Sequence, residues 1–163
     1  MSIATVLDTV RDCLADETVG LSSQLSALAS DASSDPTRIR LDFNVVKWKL
    51  GNVAQTSTQP NVMLRPRRWD TQQKRAAQRD GLVAIDVAVE WFEADTDVLQ
   101  DNVTLAATAL ARVLDALRDY SDAHNGTVID VLDPITFAFG EFEGPVSSGF
   151  VATIQIEERS TNE

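Results

Sequence analysis

Val83-Ala84-Ile85-Asp86-Val87-Ala88-Val89-Glu90-Trp91 alternates without a fault. Val83, Ile85, Val87, Val89 and Trp91 fall on one side, and Ala84, Asp86, Ala88 and Glu90 on the other. A period of two is the mark of a strand with one buried face and one polar face, and a run this long predicts the centre of a sheet. Just beyond it, Asp95, Thr96 and Asp97 offer the short oxygen-bearing side chains that begin a helix. Val98, Leu99, Val103, Ala106, Ala109, Leu110, Val113, Leu114 and Leu117 then recur at helical spacing to about Tyr120. The alanines among them favour helix and permit close packing on the sheet. Strand and helix together set the two layers of the domain.

Towards the N-terminus, Ser2 is placed to cap a helix carrying Ile3, Val6, Leu7, Val10 and Leu14 on one stripe, with Cys13 on the same stripe as a core thiol. Gly20 interrupts it, and Leu21, Leu25 and Leu28 add a further turn or two before the breaker run at 30–36. From Thr37 the period becomes two: Ile39, Leu41, Phe43 and Val45 face one way, Arg38, Arg40, Asp42 and Asn44 the other. The apolar phase then slips to Val46, Trp48 and Leu50, which predicts a bulge or a strand leaving the sheet. Residues 51–61 are a polar connection, and Val62 and Leu64 open a second strand that runs into Arg65-Pro66-Arg67-Arg68-Trp69. Residues 37–70 therefore read as an extended, basic hairpin arm projecting from the body, followed by a polar run at 71–80.

Towards the C-terminus, Asn125-Gly126 ends the long helix and turns the chain. Residues 128–139 form one extended stretch disturbed at Pro134, which suits an edge strand or a bulge. A Gly-rich loop at 140–149 follows. The closing strand places Phe150, Ala152, Ile154 and Ile156 on the core face and Val151, Thr153, Gln155 and Glu157 outward. Residues 160–163 read as a frayed tail. The expected fold is one α+β domain over residues 1–159: a largely antiparallel or mixed sheet of four to five strands, two main helices on one face, and the basic hairpin.

The chain has 163 residues, 44% of them hydrophobic, enough for a single core. It carries 25 acidic and 14 basic residues, a formal charge of −11. That charge is segregated. Residues 38–79 hold Arg38, Arg40, Lys47, Lys49, Arg65, Arg67, Arg68, Lys74, Arg75 and Arg79 against only Asp42 and Asp70, a local +8, which leaves −19 on the rest. Opposite signs separated along one chain point to complementarity within the fold or between copies. One reading gives the basic stretch to nucleic acid, with Trp48 and Trp69 stacking on bases. Another gives it to the acidic surface of an identical neighbour, a head-to-tail contact that generates a ring or filament. A third leaves it as a solvated strand face. The overall charge opposes free DNA and favours the neighbour. The candidate contact residues are Lys47, Trp48, Lys49, Arg65, Arg67, Arg68, Trp69, Lys74, Arg75 and Arg79. If these guanidinium groups are engaged solely within their own chain, the neighbour reading fails.

No constellation for catalysis is apparent. One cysteine and one histidine give neither a disulfide framework nor an ordinary zinc site. His124 sits before the turn that ends the long helix, where it meets the helix dipole, and no G-x-S-x-G or papain-like motif supplies it a nucleophile. Asp95, Asp97 and Asp101 lack the glycine and terminal glutamate of a calcium loop, and helix capping accounts for the first two. Asp130 and Asp133 specify no site. Gly140, Gly144 and Gly149 lack the Lys-Ser/Thr ending of a phosphate loop. Asn102-Val103-Thr104 and Asn125-Gly126-Thr127 are glycosylation sequons by pattern alone. No apolar run has the length of a membrane span, and Met1-Ser2-Ile3-Ala4 lacks the basic start of a signal peptide, so neither membrane insertion nor secretion is expected. The expectation is a protein that is not an enzyme, with no cofactor and no metal.

The order of elements resembles the small neck and tail-completion proteins of tailed phages, most of all the tail terminators. The resemblance lies in a short N-terminal helix, a basic extended hairpin, a strong strand leading into an Ala/Leu-rich helix, and a Gly-rich loop before the closing strand Gly149-Phe150-Val151-Ala152-Thr153-Ile154-Gln155-Ile156. It implies a small α+β subunit of a ring, usually hexameric. Such a ring caps the tail tube, stops its polymerisation and meets the head-side connector, with genomic DNA passing through without specific binding. It places the protein in the virion neck, assembled in the host cytoplasm, and implies no catalytic residues. The alternatives are a head-closure or connector neck protein, a nucleic-acid-binding module using residues 65–79, and a small enzyme with an unrecognised carboxylate site.

Overall fold

The computed structural model describes residues 3–31, 44–45, 61–75, 78–91, 96–125, 128–141 and 148–159. The described residues form an α+β fold in which three helices pack against a largely antiparallel sheet. The helices are α1 (Ile3–Ala15), α2 (Leu21–Asp31) and α3 (Thr96–Asn125). The strands are β1 (Asn44–Val45), β2 (Asn61–Arg75), β3 (Gln78–Trp91), β4 (Val128–Glu141) and β5 (Ser148–Arg159). Their order across the sheet is β1-β2-β3-β5-β4, with β3 central as its alternation predicts. The β2–β3, β3–β5 and β5–β4 pairs are antiparallel, whereas the two residues of β1 lie parallel to β2.

A single core lies between the sheet and the helices. Cross-strand partners place Leu64, Val87 and Ala152 in one row and Val62, Val89 and Phe150 in another, all buried. Val83 and Ile156 form a further row. Directly opposed residues share a face, so these rows define the helix side. Val6, Leu7, Val10, Cys13 and Leu14 of α1 meet it, as do Ala106, Ala109, Leu110, Val113, Leu114 and Leu117 of α3.

Three features differ from the sequence reading. First, Leu21, Leu25 and Ala29 are buried at four-residue spacing, so α2 is a full third helix packed on α3 rather than a turn or two. Its separation from α1 has a local cause. The Asp16 carboxylate accepts hydrogen bonds from the Thr18 and Val19 amides at 2.8 and 2.9 Å, which holds it below the usual carboxylate range. The backbone then folds back so that the Gly20 amide donates to the Asp16 carbonyl at 3.0 Å, and a side chain at position 20 would overlap that carbonyl. Second, α3 continues past Tyr120 to Asn125, giving 30 residues and a length of about 45 Å. Third, the hairpin pairs different strands, as set out below. Ser2 and most of the 37–60 stretch lie outside the described residues.

Cys13 is fully buried, and burial followed by the charge of Asp16 pushes its thiol up to about 12. At pH 8 the folded protein should resist a thiol-alkylating reagent and become reactive only on unfolding, which mass spectrometry will follow. A thiol whose folded value is raised from 9.0 contributes stability that is complete below pH 9 and is lost as pH rises towards 12. Urea midpoints should therefore fall through that window, and less steeply in Cys13→Ala.

Candidate subunit interface

β2 and β3 form the basic hairpin. Because β1 runs parallel to β2, residues 37–70 cannot be a hairpin of those two strands, and the 71–80 run read as a connection is strand on both sides of Ala76-Ala77. The hairpin also outruns the sheet. β3 leaves β5 at Leu82, opposite Glu157, while Thr71, Gln72, Gln73 and Arg75 pair with Gly81, Asp80, Arg79 and Gln78. About four residue pairs, roughly 13 Å of two-stranded ribbon, thus extend beyond the last β3–β5 pair.

A bulge decides where the basic side chains go. The β2–β3 register shifts between Pro66 and Arg68, leaving Arg67 as the extra residue. Before it, Val62 and Leu64 are core-facing; after it, Trp69 stands opposite core-facing Val83, while Arg68 stands opposite Ala84 on the other face. Simple alternation would separate Arg68 from Arg65 and Arg67. The bulge gathers all three on the sheet face away from the helices.

Two of these arginines have partners within the chain. Arg67 Nε lies 3.4 Å from an Asp86 carboxylate oxygen, and Arg68 Nε lies 2.8 Å from an Asp70 oxygen. The arginine side chains are nevertheless 66% and 75% exposed. The Arg68–Asp70 pair, exposed on both sides, contributes about 0–1 kcal/mol and can be exchanged at little cost, whereas Arg67 is paired with an Asp86 carboxylate only 14% exposed. Arg65 differs: it is half-buried opposite Asp86, and among the described residues its Nε is a buried donor without a hydrogen-bond partner. Trp69 is 46% exposed, with its indole over Gly81; a Cβ at that glycine would come 2.7 Å from Nε1.

The other predicted contact residues are spread out. Lys74, Arg75 and Arg79 belong to the overhanging end by register, about 30 Å along β2 from Arg65. Lys47, Trp48 and Lys49 lie outside the described residues. Among the described residues, the basic stretch runs along β2 and the overhanging end of β3.

The opposite margin is β4 with α3 alongside. β4 pairs only with β5 among the described residues, and its register shifts around Pro134, between Leu132 and Thr136. After the shift, Thr136, Ala138, Phe139 and Gly140 are exposed, Phe139 to 59%. Phe139 is held in place by Phe150, with ring centroids 5.8 Å apart, and by Phe137 at 6.4 Å. Along α3, Asp115, Asp119 and Asp122 are exposed on the same helical face as Arg118, whose Nε lies 3.4 Å from Asp130 of β4. Among the described residues this margin is acidic with an aromatic edge, and the sequence reading found its edge character at Pro134 but not the exposed Phe139.

Elsewhere, His124 caps the last turn of α3, its Nδ1 donating to the Tyr120 carbonyl at 2.8 Å and its ring stacked on Tyr120 at 4.0 Å. Among the described residues no group of three or more His, Cys, Asp or Glu side chains is arranged to hold a metal ion, and no helix is long and apolar enough to cross a membrane. No protein-family model matches the chain, and no curated protein matches it.

Proposed function

We propose that this chain is a structural subunit of a tailed-phage neck, a tail terminator that closes into a ring on the end of the tail tube and joins it to the head-side connector. The observation that carries this reading is the asymmetry of the sheet. One side, β2 with the overhanging end of β3, is basic with exposed Arg67, Arg68 and Trp69; the other, β4 with α3, is acidic with exposed Phe139. Unlike surfaces on opposite margins associate head to tail, and such contacts close into a ring when the rotation allows. Their charges are complementary, which sets orientation and speeds encounter. The protein then works through contacts alone, and DNA crosses the ring without a specific site because a chain of charge −11 repels phosphate. The nucleic-acid alternative is disfavoured by Asp70 and Asp86 facing the exposed arginines.

Mass measurement of the purified protein, with electron images, tests the ring: closed particles of one subunit number are expected, and a monomer at all concentrations overturns the reading. Binding to purified tail tubes identifies the terminator. Binding to portal-bearing heads alone assigns the chain to a head-closure or connector role instead.

A further inference from the structure

Asp86 is the centre of a small polar constellation on the sheet face away from the helices. Its neighbours are fixed by register: Arg65 of β2 lies directly opposite on one side and Thr153 of β5 on the other. The Thr153 hydroxyl donates to Asp86 Oδ1 at 3.0 Å, and Arg67, brought in by the bulge, places Nε 3.4 Å from Oδ2. Both carboxylate oxygens are thereby engaged, and the Asp86 side chain is only 14% exposed. Arg65 is left over. Among the described residues its buried Nε has no acceptor, although Asp86 stands opposite it in the register, because that carboxylate is engaged by Arg67 and Thr153. A buried charged donor without an acceptor is costly, and its planar fork of N–H groups matches a second oxyanion.

We propose that Arg65, with Arg67 beside it, is a seat for a carboxylate of a second copy of this chain. This rests on the head-to-tail ring proposed above and names its anchoring contact. A phosphate would fit the same donors, but the charge argues for the acid: 23 of the 25 carboxylates lie outside residues 38–79, and the net −11 repels a polyanion. Arg65 also lies on the basic margin, while exposed Asp115, Asp119, Asp122 and Asp133 occupy the margin that a head-to-tail neighbour presents. Asp86 and Thr153 act as positioning residues, since the Thr153 hydroxyl occupies one Asp86 oxygen and Arg67 the other, which leaves neither for Arg65 Nε.

The test compares wild type with Arg65→Gln by sedimentation velocity over a range of concentration and salt, with thermal melts as the folding control. Arg65→Gln should weaken association at least tenfold, flatten its salt dependence, and melt within a few degrees of wild type. Arg65→Lys, which keeps the charge but loses the fork, should fall between the two. Because Arg65→Gln can itself perturb the sheet, a second measurement uses the amine introduced by Arg65→Lys. Carbodiimide coupling in a mixture of isotopically labelled and unlabelled chains should yield a link from that amine to an acid of the other copy. If the wild type assembles and Arg65→Gln assembles equally well, or if the link forms only to acids of the same chain, the seat is overturned while the ring stands. If the wild type never assembles, ring and seat fall together. If wild-type protein binds a short DNA duplex and Arg65→Gln abolishes that binding without changing self-association, the seat belongs to phosphate and the proposal is overturned.

Discussion

Arg67→Glu/Arg68→Glu is expected to leave a folded monomer that no longer assembles. In the wild type the two arginine side chains reach into solvent from β2; Arg68 is held by exposed Asp70, and Arg67 by Asp86, which is 14% exposed. Reversing both charges replaces two attractions at each head-to-tail contact with two repulsions. Juxtaposed like charges cost several kcal/mol, and a loss of about 3–4 kcal/mol per contact corresponds to a fall of about 10²–10³ in association constant. In a ring every contact carries the change, so closed particles should vanish altogether. Inside the chain, the new carboxylates stand beside Asp86 and Asp70. Solvent screening keeps the penalty beside Asp70, 47% exposed, to about 1 kcal/mol or less. Beside Asp86, 14% exposed, it is larger, so the melting temperature should drop measurably, with most of the loss coming from position 67. Arg67→Gln/Arg68→Gln is the control: it removes the attractions without adding repulsion and should retain partial assembly. Light scattering and thermal melts on the two variants read both effects. Unchanged assembly in the Glu variant would remove these arginines from the contact.

Phe150→Ala should produce the largest loss of stability. Phe150 is fully buried at the start of β5, opposite Val89 on β3 and Phe139 on β4, with Phe137 tilted against it at 5.7 Å. Truncating a buried phenylalanine removes its transfer free energy and leaves a cavity, together about 3–5 kcal/mol. For a domain of this size that is a drop of about 6–20 °C in melting temperature, which calorimetry measures directly. The surface should respond too. Phe150 supports Phe139, so the variant should also assemble less well below its own melting point, whereas a core change remote from β4, such as Leu7→Ala, should destabilise without that effect.

Much of the fold was legible in the sequence because its strongest signals are periodic. The alternation of 83–91 and 150–157 placed β3 and β5 and their buried faces, and the helical stripe from Val103 to Leu117 placed α3. What escaped was set by partners distant in sequence. Residues 71–75 and 78–80 lack apolar alternation because this end of the hairpin reaches beyond the β3–β5 ladder, so hydrophobicity alone reads them as loop. The 37–50 stretch alternates well enough to suggest a hairpin arm, but only Asn44 and Val45 are described as strand, and they run parallel to β2. Composition located the basic stretch at residues 38–79, of which 44–45, 61–75 and 78–79 are described. It could not reveal that Asp86, read merely as an outward polar residue, would engage Arg67 and Thr153 and leave Arg65 over, since that depends on a register shift no local pattern announces.

The extra residue at position 67 acts as a half-twist built into the strand. Were the bulge to close with Arg67 kept and paired opposite Ala84, everything downstream would turn over as far as the next irregularity at Lys74. Trp69 would change sides with Arg68, putting an indole where a cation had been and a cation where the helices begin. Deletion of Arg67, by contrast, should be absorbed by the sheet, since Arg68 would follow Pro66 directly with every later side chain on its present face, whereas a residue inserted here must widen the bulge or turn the strand over.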